Sequence, residues 1–447
     1  MSRVQPPQHS EGRSARTARV LAAVDAHADA MVTLAQELVR IPTINPPGER
    51  YQDCAELLAE RMRHLGFAVE LLEAEGRPEH TAEWPRINVL GSLGGNGGPC
   101  VHLNGHFDVV PAGDGWTVDP FGGLIREGRL YGRGSADMKA GLAAALYAAA
   151  AVRDAFPDHP GRMEVSGTVD EESGGFAGVA HLAELGRIGG QRPTYVIIPE
   201  PFGVDRICVG HRGVYWFRIT ALGHIAHGSM PFLGRSAIDD LAALLAAVQR
   251  DLIPAIQARS TTMPVVPEGA RHGSLNVNSI QGGQIDPESG SDIPRQSPCV
   301  ADRAEAVFDR RFLPEERIED VRAEVQGVLD RLCAEDPERR YELTDLLVVE
   351  PTRAPDDSPV IRALEAAVSS VVGRAARRVA SPGTYDQKHV ARIAGVEHCV
   401  AYGPGALEQA HQPDESCAVA DMVTSAKVMA LATLELLDPA GGDAQQS

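Results

Sequence analysis

The chain has 447 residues, of which 43% are hydrophobic and 23% charged, an ordinary balance for a globular protein. Its length corresponds to two or three domains of about 150 residues. The 61 acidic residues outnumber the 42 basic ones, so the formal charge is −19. A field of this sign repels phosphate backbones and anionic lipid, which argues against a nucleic-acid partner or a membrane-surface role.

Three further features indicate a cytoplasmic protein. The seven cysteines are scattered, odd in number and form no C-x-x-C motif, which disfavours a disulfide framework and a thiolate zinc site. The segment Met1–Arg19 is polar and basic and lacks the apolar core of a signal peptide. The longest apolar run, Ala140–Val152, is shorter than the roughly 20 residues that span a bilayer.

The first half of the chain alternates between helix and strand patterns. Helical spacing predicts helices over Arg16–Arg40, Tyr51–Leu65 and Met138–Ala155, and short apolar runs predict strands over Phe67–Leu72, Ile87–Leu90, Val101–Leu103, Met163–Val169 and Tyr195–Ile198. Such alternation is typical of an α/β domain with a mostly parallel central sheet.

Beyond Gly213 the pattern changes to β-α-β-β-α-β, the order of a ferredoxin-like α+β sandwich. The predicted elements are Val214–Ala221, Ala237–Leu252, Ser274–Ile280, Ala304–Phe312, Ile318–Leu332 and Tyr341–Val349. Helix Val360–Val372 then returns the chain to the α/β domain. We therefore predict one α/β domain, residues 1–211 and 355–447, interrupted by an inserted domain, 212–354. The Pro/Gly/Ser-rich stretch 253–300 gives no assignment apart from the strand near Ser274.

Several polar residues follow predicted strands. His106 and Asp108, after the strand that ends at Leu103, point to the same face of an extended segment, so the carboxylate can hold one imidazole nitrogen while the other binds a metal. Taken alone, this pair is more often structural. Asp137 opens the Ala-rich helix, where it is either an ordinary N-cap or a metal ligand on a glycine-rich turn.

Carboxylates also follow the next two strands. Glu171 and Glu172 come after Val169, and Glu200 comes after Ile198. Such residues are often merely solvated, but ligands collect at this edge of an α/β sheet. Adjacent carboxylates can divide the work, one binding a metal and the other accepting a proton from water. Near the end of the chain, His411 lies in Ala-His-Gln-Pro-Asp-Glu, and His389 and His398 compete with it as ligands.

The order and spacing of these motifs, taken together, resemble the dizinc aminoacylase and carboxypeptidase family that includes acetylornithine deacetylase and succinyl-diaminopimelate desuccinylase. The resemblance runs from about Leu34 to Leu437. It implies two Zn²⁺ ions per subunit, with Co²⁺ or Mn²⁺ as alternatives. It also implies that the inserted domain is a lid through which a homodimer forms.

The resemblance assigns roles to particular residues. One zinc is held by His106, Asp137 and Glu200, and the other by Asp137, Glu172 and His411. Asp108 orients His106, Glu171 is the general base, and His227 in Ala-His-Gly-Ser-Met-Pro stabilises the oxyanion. Arg311, Gly383, Thr384 and Asp386 match substrate-binding positions. Tyr385 interrupts the family's Gly-Thr-Asp loop, and Pro298 replaces a residue whose amide binds substrate, so specificity is not transferable.

The expected function is hydrolysis of the N-acyl bond of an N-acyl amino acid, or a related carboxylate-bearing amide, by a hydroxide that bridges the two metal ions. A dipeptidase or carboxypeptidase with the same centre is the alternative. A metal-binding scaffold without activity is more remote, since a scaffold needs no general base. A serine hydrolase is disfavoured because the chain has no G-x-S-x-G elbow.

Overall fold

A computed structural model describes residues 12–95, 97–190, 194–283 and 298–439. Residues 1–11 of the polar amino-terminal segment and residues 284–297 of the unassigned stretch lie outside this part. The chain divides into two compact units. The first comprises the residues up to Gly210, Arg353–Val379 and those from Tyr385 onward, and the second comprises His211–Thr352 and Ala380–Thr384.

The helices are α1 (Arg13–Val39), α2 (Tyr51–His64), α3 (Ala140–Ala155), α4 (Val179–Glu184), α5 (Ala237–Ala247), α6 (Ile253–Gln257), α7 (Ile318–Glu335), α8 (Pro359–Val372), α9 (Gln387–Arg392) and α10 (Val419–Leu437). A π-helical turn, Val248–Leu252, joins α5 to α6. Among the described residues, no helix has the length and apolar composition needed to cross a membrane.

The strands are β1 (Ala68–Glu73), β2 (Ile87–Gly94), β3 (Cys100–His106), β4 (Leu124–Arg126), β5 (Arg129–Tyr131), β6 (Arg162–Thr168), β7 (Thr194–Ile198), β8 (Arg206–His211), β9 (Gly213–Leu222), β10 (Ser274–Gly282), β11 (Arg303–Phe312), β12 (Arg340–Val349), β13 (Thr352–Arg353), β14 (Arg377–Ser381), β15 (Cys399–Ala401) and β16 (Ser416–Ala418).

The first unit is built on a large mixed sheet. Within the described residues its strand order is β1-β2-β6-β3-β7-β15-β8-β13, with β14 also paired to β8. The central strands β6, β3, β7 and β15 are parallel, whereas β1, β2 and β8 join antiparallel. Every residue of β3 is buried, as in a parallel sheet covered on both faces. The predicted α/β class with parallel strands at the centre of its sheet is confirmed.

The second unit is an antiparallel sheet in the order β10-β11-β9-β12 with α5 and α7 packed on it. Its core stacks Tyr215, Phe217 and Phe308, whose neighbouring rings lie 4.7 and 4.9 Å apart. The element order and strand order are those of the predicted ferredoxin-like sandwich. The chain enters this unit after Gly210 and leaves it at Arg353, whereas the predicted boundaries were 211/212 and 354/355. Residues 380–384 also group with it.

A buried carboxylate lies near the beginning of β6, away from the strand ends that carry the acidic motifs. Glu164 accepts hydrogen bonds from Arg162 Nε at 2.6 Å and from His102 Nδ1 at 3.1 Å. Although burial alone would raise the pKa of Glu164, these hydrogen bonds and the neighbouring charges lower it to about 2. The ionised carboxylate therefore stabilises the folded state.

Replacing Glu164 by Gln is expected to lower the free energy of unfolding by about 3 kcal/mol at neutral pH. The carboxyl titrates near 4.5 in the unfolded chain and near 2 in the folded one. Its contribution is therefore complete above the first value and is lost as the pH falls toward the second. Urea denaturation followed by circular dichroism, at about pH 7 and about pH 3.5, measures this difference. If the variant and the wild-type protein had equal free energies of unfolding at neutral pH, the stabilising role of the Glu164 carboxylate would be contradicted.

Candidate metal centre

Three neighbouring parallel strands present polar side chains at one edge of the sheet. His106 is the last residue of β3, Glu171 and Glu172 follow β6, and Glu200 follows β7. Strands β6 and β7 pair with β3 on either side, so their carboxyl ends lie together. This is the edge at which open α/β sheets bind ligands.

Asp137 reaches the same place from the turn before α3. Residues Ser135–Lys139 form a single π-helical turn, in which Asp137 leaves helical geometry with φ −117° and ψ 95°. The N-cap of α3 is Lys139, with no capping side chain, so the alternative N-cap role of Asp137 is not observed. Instead, Asp137 Oδ1 lies 3.2 Å from His106 Nε2 and Oδ2 lies 3.6 Å from His411 Nε2.

Two further distances link His411 and Glu200 to the cluster. His411 Nε2 is 3.1 Å from Glu172 Oε1, and His106 Nε2 is 4.0 Å from Glu200 Oε1. One ligand atom from each of His106, Asp137 and Glu172 falls within 4.8 Å of the other two. Four nitrogen or oxygen ligands at about 2.0–2.1 Å around tetrahedral zinc lie about 3.3 Å apart. The donor types and their spacing therefore fit divalent cations on both sides of Asp137.

The pKa values of three cluster residues, Glu172, Glu200 and His411, are raised. Burial raises the pKa of Glu172 to about 7, and burial together with the Asp137 carboxylate raises that of Glu200 well above its usual range. The hydrogen bond with Glu172 raises the pKa of His411 to about 9. Bound protons thus compensate the carboxylates when no cation is present, and a divalent cation would displace them.

Asp108 connects the first two motifs. Its Oδ1 accepts from the amide of Glu171 and its Oδ2 from the amide of Glu172, both at 3.1 Å. Asn45 donates to Oδ2 at 2.9 Å. His106 Nδ1 lies 3.1 Å from the main-chain carbonyl of Asp108 and 3.4 Å from Oδ1. Asp108 therefore fixes the Glu171–Glu172 dipeptide as well as the ring of His106.

Helix α9 packs beside Glu171. Lys388 is buried, with its Nζ 3.4 Å from Glu171 Oε1, a contact that the sequence analysis missed because this lysine lies in no recognised motif. Asp386 was predicted to bind substrate, but its side chain is buried and its Oδ2 accepts from Asn104 at 2.8 Å. Its role in substrate binding stays a prediction.

Close backbone packing fixes the position of Glu200. A Cβ atom on Gly141 of α3 would lie 2.1 Å from the carbonyl oxygen of Pro199, and one on Gly403 would lie 2.2 Å from it. Both are far inside van der Waals contact, so only glycine permits this approach. The carbonyl that precedes Glu200 is thus enclosed between a helix and the loop after β15.

The other candidate residues make different contacts. His389 Nε2 contacts the carbonyl of Gly174 at 2.7 Å and His398 Nδ1 contacts Ser358 Oγ at 3.2 Å, so neither joins the cluster. The candidates of the second unit are His227, Arg311, Gly383 and Thr384. Arg311 donates to both oxygens of Asp309, at 2.7 and 2.9 Å, and the amide of Gly383 donates to Ser381.

Comparison with known proteins identifies the family. The model of Peptidase family M20/M25/M40 matches residues 102–435, which is most of the chain and includes every member of the cluster. The chain belongs to this family. It is accordingly a metal-dependent amidohydrolase, as predicted from the motifs.

Curated relatives match over nearly their whole length. The succinyl-diaminopimelate desuccinylase of Bordetella petrii is 32% identical over 388 residues, covering 84% of this chain and 90% of the relative. The protein of the same name from Stenotrophomonas maltophilia is 30% identical over 404 residues, covering 88% and 95%.

Solved structures share the fold at lower identity. Human carnosine dipeptidase 1 has a TM-score of 0.70 at 21% identity and covers 94% of this chain and 100% of its own. The dipeptidase Dug1p of Saccharomyces cerevisiae has a TM-score of 0.73 at 17% identity, covering 95% and 99%. YXEP of Bacillus subtilis, described as a dinuclear metal-binding peptidase, has a TM-score of 0.62 at 15% identity, covering 93% and 99%.

Proposed function

We propose that the protein hydrolyses the N-acyl bond of an N-acyl amino acid or a related carboxylate-bearing amide. The observation that carries the proposal is the partly buried cluster around Asp137, with Glu171 next to a ligand and anchored through its amide by Asp108. The desuccinylase relatives, whose names describe removal of an acyl group from a diamino acid, support this substrate class.

Two zinc ions fit the donor set in the proposed arrangement. One would be held by His106, Asp137 and Glu200, the other by Asp137, Glu172 and His411, with Co²⁺ or Mn²⁺ as alternatives. The two oxygens of Asp137 face different histidines, as a bridging carboxylate requires. When bound, such ions acidify a water molecule and polarise the amide carbonyl.

Glu171 is the proposed general base. Its carboxylate would take a proton from the attacking water and pass it to the departing amine. The hydrogen bond from its amide to Asp108 fixes its backbone, and Lys388 Nζ lies 3.4 Å from its Oε1. A base is most effective when its position is fixed before the substrate arrives.

His227 is the proposed donor to the oxyanion. The amide of Ser229 donates to its Nδ1 at 3.1 Å, so Nδ1 is an acceptor. In a neutral ring the proton then resides on Nε2, which becomes a hydrogen-bond donor. Such a donor matches the charge that develops on a tetrahedral intermediate.

Arg311, Gly383 and Thr384 are the proposed contacts for the substrate carboxylate. Nε and Nη2 of Arg311 donate hydrogen bonds to Asp309, which fixes the orientation of the guanidinium plane. The N–H groups of Nη1 point away from this pair and would meet a second carboxylate. The global charge of −19 makes such a local cation necessary for an anionic substrate.

A hydrolysis panel tests the substrate class. With added Zn²⁺, Co²⁺ or Mn²⁺, at least one N-acetyl, N-succinyl, N-formyl or N-carbamoyl amino acid is expected to give a kcat/KM at least about tenfold above any dipeptide, a difference of about 1.4 kcal/mol in transition-state binding. Preference for dipeptides would favour the peptidase alternative. Metal-loaded protein that cleaves no amide would favour the scaffold.

Replacing Glu171 by Gln or Ala is expected to lower kcat by roughly 10²–10⁴-fold, since the general base is lost. Metal content, measured by atomic absorption, is expected to stay at the wild-type value because Glu171 is not a proposed ligand. Glu164→Gln is the matched control, the same change at a buried carboxylate near the beginning of β6, and should keep wild-type kcat. A Glu171 variant that retains most of its kcat would show that the base is elsewhere.

The protein is also proposed to be a cytoplasmic homodimer that assembles through the second unit. Exposed apolar side chains on that unit support the dimer, among them Phe232 at 79% and Ile280 at 58% exposure. The scattered cysteines support a reducing compartment. Light scattering is expected to give twice the chain mass of 47.6 kDa. A fully active monomer would remove the dimer proposal.

A further inference from the structure

A buried ion pair, formed by Arg133 and Glu415, contacts the two loops that carry Asp137 and His411. Arg133 Nη1 donates to Glu415 Oε2 at 2.6 Å, and both side chains are almost completely buried, with 2% and 0% exposed. The two residues belong to the motifs Gly-Arg-Gly-Ser-Ala-Asp and His-Gln-Pro-Asp-Glu, and the catalytic assignments above use neither of them.

Glu415 holds the turn on the Asp137 side. Its Oε1 accepts from the amide of Ala136 at 2.9 Å and from the amide of Asp137 at 3.1 Å. Asp137 lies within the π-helical turn, but its own φ and ψ are not helical. The glutamate therefore supplies the acceptor that these buried amides would otherwise lack.

Arg133 holds the loop on the His411 side. Its Nη2 donates to the carbonyl of His411 at 3.2 Å and to that of Ala112 at 3.0 Å, and its Nη1 reaches the carbonyl of Gln412 at 3.3 Å. His411 itself has a positive φ of 64°, an uncommon conformation for a residue with a side chain. The planar guanidinium binds these carbonyls from one side, which a single ammonium group could not do.

We propose that Arg133 and Glu415 are positioning residues that set the separation between Asp137 and His411 before any metal binds. The inference rests on the proposed function, because that proposal assigns Asp137 and His411 to the second metal set. One ion pair joins the main chain of the two loops, so the separation of Asp137 Oδ2 and His411 Nε2 depends on it. Because His411 serves only the second set, that set depends most on the pair.

Two conservative variants test the proposal with Co²⁺ as the probe. In Glu415→Gln the new amide group faces the Arg133 guanidinium, and in Arg133→Lys the ammonium cannot reach all the carbonyls. Each is expected to lower the affinity for the second Co²⁺ ion by about 10- to 100-fold, the effect typical of lost support for metal ligands. The affinity for the first ion should change by no more than about threefold. Calorimetry and the cobalt absorption spectrum report both sites without using activity.

Glu164→Gln again serves as the control, since it removes a buried carboxylate interaction in the same unit but should bind both ions as the wild type does. If wild-type protein binds two Co²⁺ ions and hydrolyses acyl amino acids, but Glu415→Gln and Arg133→Lys bind both ions equally well, the positioning role is wrong and the proposed function stands. If wild-type protein binds no Co²⁺, the proposed function itself fails.

Amide hydrogen exchange on metal-free wild-type protein provides a measurement that needs no variant, should neither variant fold. The amides of Ala136 and Asp137 are expected to exchange as slowly as those of β3, because they donate to Glu415 in the absence of metal. Exchange at the rate of an exposed loop would overturn the proposal.

Discussion

Three carboxylates lie side by side at one edge of a sheet, those of Asp137 and Glu200 buried and that of Glu172 partly buried, and this concentration of like charge is the main physical constraint on the first unit. Uncompensated buried charge costs far more than a protein of ordinary stability can tolerate. Two imidazoles supply protons when the cluster is empty of cations, and divalent ions would supply stronger compensation. Because a bound divalent cation would remove the repulsion between the carboxylates, this repulsion favours metal binding.

The fold contributes by fixing the positions of these carboxylates. Parallel strands bring His106, Glu172 and Glu200 to one edge, and main-chain amides fix the residues between them. Asp108 caps Glu171 and Glu172, while Gly141 and Gly403 enclose the carbonyl before Glu200. Ligands on such supports cannot move apart to relieve their repulsion, which keeps the site open to a cation rather than collapsed.

The sequence predicted the parts of this arrangement that carry a pattern. Helices and strands with clear periodicity were located, and the residues that the structure brings together in the cluster had been selected because strand ends and motif spacing mark them. Helix α10 was missed because Ser425 and Thr433 are buried on it among apolar residues, which obscures its polar face. Strand β15 spans only Cys399–Ala401, too short for a periodic signal, although it lies next to β7.

Charged residues in buried positions were the least predictable part of the site. Lys388 and Glu415 look like surface residues in the sequence, because nothing local shows that a segment far away in the chain covers them. The motif that suggested Asp386 for substrate binding did not indicate its hydrogen bond with Asn104, which lies far earlier in the chain. Contacts between distant segments decide such cases, and a single sequence does not display them.

The path of the chain also has a consequence for biosynthesis. Synthesis proceeds from the amino terminus, so His106, Asp137, Glu172 and Glu200 leave the ribosome before the second unit, and His411 leaves after it. Strand β15, between β7 and β8 in the sheet, is likewise made late. A nascent chain therefore carries four of the five proposed ligands while its sheet is still incomplete. The proposed ligand set is therefore complete only after His411 has been synthesised.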